Sequence, residues 1–347
     1  MSDELIRNIY EKLKDFQDPI SNKAYDQNNP NINLIFKNGH ITITILIDPN
    51  QKAKYEEISE NIKKSLTNIK ELLSTSIILT SEINSNADQS KRDQFRINAK
   101  NIIAVASGKG GVGKSTFTVN FATALEKIGQ KVGILDADIY GPSLPKILGL
   151  NEKPKNEGGK FLVPLEKFGV QCISIGFLVD ENTPMIWRGP MVISAIKTLT
   201  QKVLWKDLDF LIIDMPPGTG DSQLTFAQEI KVDGAIIIST PQDLALADVK
   251  RGIQMFDKTG IKILGLVDNM SFFKGDDGKI YNIFGEGGVQ KTANEFKKEF
   301  LGKIPLNNKL RESADQGQPL THKDPKNEIS LIFENIAKKI NSSFNKD

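Results

Sequence analysis

A doubly wound α/β fold, its mostly parallel sheet covered by helices on both faces and preceded by a small α+β domain, is predicted by three observations. From Asn101 onward, β-rich runs alternate with helical ones. A glycine-dense segment, Gly108-Lys109-Gly110-Gly111-Val112-Gly113-Lys114-Ser115-Thr116, lies between the first of those runs and the first helical one. Ahead of both, residues 84–99 offer turn formers and no apolar periodicity, which reads as a linker. The expected division is a small α+β domain over 1–83, a linker over 84–99 and a large α/β domain over 100–347.

In the small domain, a helix over about Glu4–Phe16 precedes two β-rich runs between Asn33 and Ile47, joined at Asn38-Gly39, a strong hairpin signal. A helix over about Ala53–Leu73 and a strand over Ser76–Thr80 complete it. In the large domain, the run Ile102–Ala106 leads into the glycine segment and Phe117–Leu125 leads out as a helix. Further strands are expected at Lys131–Asp136, Val170–Phe177, Phe210–Asp214, Gly234–Thr240 and Ile263–Asn269. The amphipathic stretch Ile329–Ile340 is expected to pack on the sheet as a closing helix, because its polar face is not strongly basic.

The glycine segment fits G-x-x-x-x-G-K-[ST] in its required strand, loop and helix context. Closely spaced glycines let backbone N–H groups converge on a phosphate chain that side chains would hold off. In that reading residues Gly108 to Thr116 form the cradle, Lys114 neutralises the β- and γ-phosphates and the Ser115 hydroxyl ligates Mg²⁺. Two acidic strand ends supply the remainder. The apolar run ending at Asp214 has the form that holds a magnesium water shell. The following Met215-Pro216-Pro217-Gly218-Thr219-Gly220-Asp221 places the Gly218 amide where a γ-phosphate could be sensed, and a second carboxylate pair, Asp136 and Asp138, ends another strand. ATP and Mg²⁺ are therefore the expected ligands.

Composition excludes several classes. Lys+Arg 45 against Asp+Glu 43 gives a net +2, which makes no case for nucleic acid or a membrane surface as partner. No window approaches ~18 consecutive apolar residues, and Met1 opens onto a charged amphipathic helix, so a cytosolic location is expected. Cys172 is the single cysteine, which rules out an intramolecular disulfide and any metal site built from paired cysteines of one chain. It sits in an apolar strand and reads as a buried thiol. His40 and His322 are too separated for metal or acid–base work.

Lys109, a second lysine inside the loop, resembles the signature of the deviant P-loop ATPases, which include septum-positioning and plasmid-partitioning proteins, the nitrogenase iron protein and the Mrp-type iron–sulfur cluster carriers. The resemblance implies a homodimer in which Lys109 reaches the partner's phosphates, as an arginine finger does elsewhere. It narrows further on Asp214-Met215-Pro216-Pro217-Gly218-Thr219-Gly220-Asp221, Trp187-Arg188-Gly189-Pro190-Met191, Asn269-Met270-Ser271-Phe272-Phe273, Phe284-Gly285-Glu286-Gly287-Gly288, and Ile304-Pro305-Leu306 with Arg311 and Asp315-Gln316-Gly317. These segments look like the Mrp-type (ApbC-like) iron–sulfur cluster carrier ATPases, and the small domain with its Asp18-Pro19-Ile20 turn is similar to the one that often precedes them.

By that similarity Asp138 positions the attacking water, giving Lys109, Lys114 and Asp138 as catalytic residues, and Asn269 reads the adenine. Iron–sulfur assembly proteins or apo-protein clients are the implied partners. One departure concerns the cargo. Where many members carry a C-x-x-C pair, this chain has Lys274-Gly275-Asp276-Asp277-Gly278-Lys279-Ile280-Tyr281-Asn282-Ile283 and no thiolate. A cluster is thus implied by resemblance alone, and no iron–sulfur ligand is identified. The alternatives are a positioning ATPase that acts on DNA or a membrane, and an ATP-dependent assembly scaffold that binds no cluster itself.

Overall fold

The computed structural model describes residues 2–345 except 28, 30, 38–39, 49–50, 67–68, 70–71, 73, 81–96, 140, 159–160, 178–194, 197, 219–222, 224–225 and 227–229. Two compact units divide the chain, Met1–Arg92 and Asp93–Asp347.

The first unit runs α1 (Ser2–Leu13), β1 (Ile32–Lys37), β2 (His40–Leu46), α2 (Lys52–Leu66) and β3 (Ser74–Thr80). β1 and β2 pair antiparallel with Lys37 opposite His40, which leaves a two-residue connection as the Asn-Gly signal requires; those two residues lie outside the described set. β3 joins β2 in parallel. Ile9 and Leu13 of α1, Ile41, Ile43 and Ile45 of β2, and Tyr55, Ile62 and Leu66 of α2 form its core. α2 stops seven residues short of the expected Leu73, and the Ile69 N–H turns back to the Leu66 carbonyl in a tighter turn. The Asp18 turn closes on its own side chain: Oδ1 accepts the Ile20 and Ser21 N–H groups, and Oδ2 accepts the Tyr55 hydroxyl at 3.1 Å.

The second unit continues with β4 (Ala99–Ala106), α3 (Lys114–Lys127), β5 (Val132–Asp136), α4 (Leu144–Leu148), β6 (Asn156–Glu157), β7 (Phe161–Leu162), β8 (Leu165–Lys167), β9 (Val170–Ser174) and β10 (Leu208–Asp214). It closes with β11 (Gly234–Ser239), α5 (Asp243–Thr259), β12 (Ile263–Lys274), β13 (Ile280–Tyr281), α6 (Gly288–Glu295), β14 (Phe300–Leu306), α7 (Asn308–Asp315), α8 (Leu320–Lys323) and α9 (Glu328–Phe344). β6 and β7 pair only with each other. The large sheet has the order β8-β9-β5-β10-β4-β11-β12, with β14 and β13 both pairing β12. Every pair from β9 to β14 is parallel, and only β8 and β13 run antiparallel.

A parallel sheet covered on both faces needs strands that are apolar on both sides. β10 meets that demand. Phe210 and Ile212 face one core layer with Phe117 and Phe121 of α3 and Phe333 and Ile336 of α9. Leu211 and Ile213 face the other, with Val249, Ile253 and Phe256 of α5 and Val289 of α6. Phe117 stacks on Phe121 at 5.5 Å and meets the Phe333 ring at 5.6 Å, which seats α9 directly over α3.

Two departures from the expected elements have local causes. The strand expected over Val170–Phe177 ends at Ser174 and tightens into a 3₁₀ turn, Ile175–Phe177, where the Ser174 hydroxyl accepts the Gly176 N–H at 2.9 Å. β12 runs on to Lys274 rather than ending at Asn269, passing through Met270 in a left-handed conformation (φ 53°) where its register with β14 shifts. β14 itself was not expected. The segment Trp187–Met191 and residues 84–96 of the expected linker lie outside the described residues, while Ala99 already belongs to β4. Among the described residues no helix is long and apolar enough to cross a membrane.

Candidate active site

The site gathers at the C-terminal ends of β4, β5 and β10, at the crevice where the chain leaves β4 with neighbours on both sides. Residues 107–113 join β4 to α3. Gly111 (φ 80°) and Gly113 (φ 82°) hold left-handed conformations that side-chain-bearing residues rarely adopt. At Gly108 the constraint is steric: a Cβ there would lie 2.5 Å from the Asp248 Cβ and 2.6 Å from its carbonyl carbon, because α5 packs against the loop backbone. α3 starts at Gly113 with no capping side chain, so its first-turn N–H groups remain available to an anion.

Three polar side chains converge on one carboxylate. Asp214 is fully buried, and Lys114 Nζ donates to its Oδ1 at 2.8 Å. Ser115 Oγ donates to Asp214 Oδ2 at 2.5 Å, and Thr118 Oγ1 lies 3.0 Å from Oδ1. Lys114 also stands 3.7 Å from Asp138 Oδ2. A hydroxyl and a carboxylate meeting at one point form the hard-oxygen donor set that magnesium takes, so Ser115 and Asp214 fit that ion.

Asp136 lies beside Asp214 in the β5–β10 register. Its Oδ1 accepts the Asp138 N–H, and its Oδ2 accepts the Ser174 hydroxyl at 2.9 Å and the Leu144 N–H at 3.2 Å. One carboxylate thereby ties β5, β9, α4 and the Asp138 loop together. Burial, and then the neighbouring Asp214 charge, push Asp136 up to about 7. Burial also raises Asp138, with Lys114 opposing and Asp214 adding, while Asp138 Oδ1 accepts the Gly141 N–H at 3.2 Å.

The other residues expected at the site have definite places. Gly218 (φ 103°) donates its N–H to the Ser107 carbonyl at 2.9 Å, so the amide expected to sense a γ-phosphate holds the phosphate loop in this structure. Gln223, buried, donates to the Pro216 carbonyl and reinforces that tie. Lys109 is exposed, and its carbonyl accepts the Ser107 hydroxyl at 3.0 Å. Asn269 donates Nδ2 to the Val112 carbonyl at 2.8 Å. Thr219–Asp221 fall outside the described residues.

Sequence reading missed a buried polar set behind the loop. Asn120 donates to the Thr116 carbonyl at 2.9 Å and accepts the Thr321 N–H at 3.1 Å, and the Thr321 hydroxyl also meets Thr123. The available signal was a lone amide among Val119, Phe121 and Ala122, since an apolar run keeps a buried polar residue only when it is hydrogen-bonded.

With this geometry established, comparison with known proteins decides the family. A family model described as the NUBPL iron-transfer P-loop NTPase matches residues 98–341. The chain belongs to this family. An iron–sulfur cluster carrier protein of Pseudomonas fragi is 51% identical over 243 residues, covering 69% of this chain and 85% of the relative. One of Synechocystis is 38% identical over 334 residues, covering 94% of each, so that match spans the small unit as well. A nucleotide-binding protein of Archaeoglobus fulgidus, solved in complex with ADP, superposes with a TM-score of 0.59 at 38% identity, covering 68% of this chain and 93% of that one. The Mrp-type resemblance and the P-loop NTPase fold are borne out, and the positioning-ATPase alternative is not favoured.

The family's cargo needs ligands that this chain does not present in the usual segment. Residues 274–281 instead close a β12–β13 hairpin: Gly275 N–H donates to the Lys279 carbonyl at 2.9 Å and the Tyr281 hydroxyl to Asp277 Oδ2 at 3.0 Å. Among the described residues no group of three or more His, Cys, Asp or Glu is placed to hold a metal ion. Cys172 is fully buried, and burial pushes its thiol up to about 12.

Proposed function

We propose that the protein is a slow, Mg²⁺-dependent ATPase, working as a homodimer, whose nucleotide cycle drives iron–sulfur cluster delivery or assembly. The observation that carries the reading is the convergence of Lys114, Ser115 and Thr118 on Asp214, beside Asp138, at the uncapped N-terminus of α3. Loop amides of residues 108–113 bind the phosphate chain, and Lys114 exchanges Asp214 for the β- and γ-phosphates. Ser115 and Asp214 would hold magnesium, which would offset the negative charge of the phosphates. Asp138, whose pKa is raised by burial, orients the attacking water and accepts its proton as the γ-phosphoryl group leaves ADP. Asn269 and the Gly218 amide complete the nucleotide pocket.

Lys109 supplies the positive charge that the site of one copy lacks, across the interface to the partner's phosphates. Lys109→Ala is expected to leave Mg–ATP affinity within about twofold and to lower turnover by on the order of 10³, the scale of an arginine finger. Calorimetry and steady-state phosphate release check it, and wild-type turnover rejects the proposed role.

Cluster handling draws its thiolates from partners. The relatives are named as carriers, and the one thiol of this chain is buried and protonated. Anaerobic reconstitution of the purified protein with iron and sulfide is expected to yield neither a visible absorption band nor stoichiometric iron. A band with stoichiometric iron places the ligands on this chain and overturns that part of the proposal.

A further inference from the structure

We infer that Asn269 is a positioning residue of the phosphate loop: its side-chain amide fixes the Val112–Gly113 peptide so that the loop's last N–H points at the bound anion. The inference deepens the nucleotide-binding proposal and rests on it. Asn269 closes the unbroken buried run of β12 and is 6% exposed. It stands opposite Ile304 in the β12–β14 ladder, and the Ser271 hydroxyl donates to the Ile304 carbonyl at 3.1 Å, so its backbone is anchored on either side of the left-handed Met270.

From that anchor Nδ2 donates to the Val112 carbonyl at 2.8 Å. A trans peptide points its C=O and the following N–H in opposite directions. Holding the Val112 carbonyl on β12 therefore turns the Gly113 N–H away from β12, toward the interior of the loop. The fit is tight. A Cβ at Gly113 would lie 2.4 Å from Asn269 Nδ2, so the same amide that orients the peptide also requires glycine there, beyond the demand of φ 82°. This bond engages one of the two Nδ2 hydrogens with the loop backbone.

The two roles separate with a ligand that has no base. Full-length wild type, Asn269→Ala and Asn269→Asp are titrated by calorimetry, well below their unfolding transitions, with Mg–ATP, Mg–GTP and inorganic Mg–tripolyphosphate. Positioning predicts that Asn269→Ala weakens ATP and tripolyphosphate by the same factor, about three- to tenfold for one lost hydrogen bond, and leaves the ATP/GTP ratio unchanged. Asn269→Asp, which keeps the shape but sets a carboxylate against the Val112 carbonyl, weakens both further. A merely structural role lowers the unfolding temperature and leaves these affinities unmoved, which overturns the inference. So does an Asn269→Ala protein that binds tripolyphosphate like wild type while losing ATP affinity or ATP/GTP preference. Wild-type protein that binds neither ATP nor tripolyphosphate overturns the nucleotide reading itself.

Discussion

Replacing Lys114 with Ala is expected to abolish Mg–ATP binding and to lower folding stability by about 3 kcal/mol, the scale for removing one partner of a buried ion pair. Both effects trace to one ammonium group. In the folded chain it stands 2.8 Å from the fully buried Asp214 and 3.7 Å from Asp138, and its charge opposes the burial that raises Asp136. A carboxylate whose folded pKa exceeds its unfolded value adds stability below the unfolded value, and that stability is lost as pH rises through the folded one. For Asp136 the window runs from 3.8 to about 7. Without Lys114 the folded pKa of Asp136 rises further, so variant and wild type lose stability in parallel across that window, and the gap between them widens as pH rises above about 7, where only the wild-type Asp136 ionises. Urea unfolding at a neutral and an alkaline pH measures the gap. Adding Asp214→Asn to the variant restores much of the stability but not the binding, because it removes the stranded charge without replacing the phosphate contact. Retained ATP affinity in Lys114→Ala removes the foundation of the proposed mechanism.

Asp138→Asn is the second large effect, expected to lower turnover by about 10² to 10⁴ with ATP affinity nearly unchanged. The substitution keeps an oxygen for the Gly141 N–H, which Asp138 Oδ1 accepts at 3.2 Å, and so preserves the loop while removing the proton acceptor. Single-turnover phosphate release separates this from a binding defect. Wild-type turnover would show that the water is activated elsewhere. The arrested protein should also hold its nucleotide-bound dimer long enough to capture the thiolate-bearing partners the proposal requires.

What was legible in the sequence is what local backbone chemistry dictates. Gly111 and Gly113 announce themselves because few other residues reach their φ values, and Asp214 because it ends an uninterrupted apolar run. Buried parallel strands such as β10 and β11 are readable for the same reason, being apolar on both faces. β14 escaped because Gly302 and Pro305 interrupt its pattern. The sheet tolerates that proline because β14 pairs with β12 alone and needs no donor on its outer side. The partners of Asn120 and Asn269 were illegible in principle: Thr321 lies 201 residues away and Val112 lies 157 away, and no local pattern marks such pairings. Gly218 was recognised as a switch glycine from its motif, but its bond to Ser107 depends on the parallel stacking of β4 beside β10.

The seating of α8 and α9 against α3 has a consequence for biosynthesis. The glycine loop leaves the ribosome long before Thr321 reaches Asn120 and Phe333 reaches Phe117, so a nascent chain carries the motif without the layer that braces its helix. A nascent chain is therefore expected to gain tight ATP binding only once α8 and α9 have emerged and docked on α3.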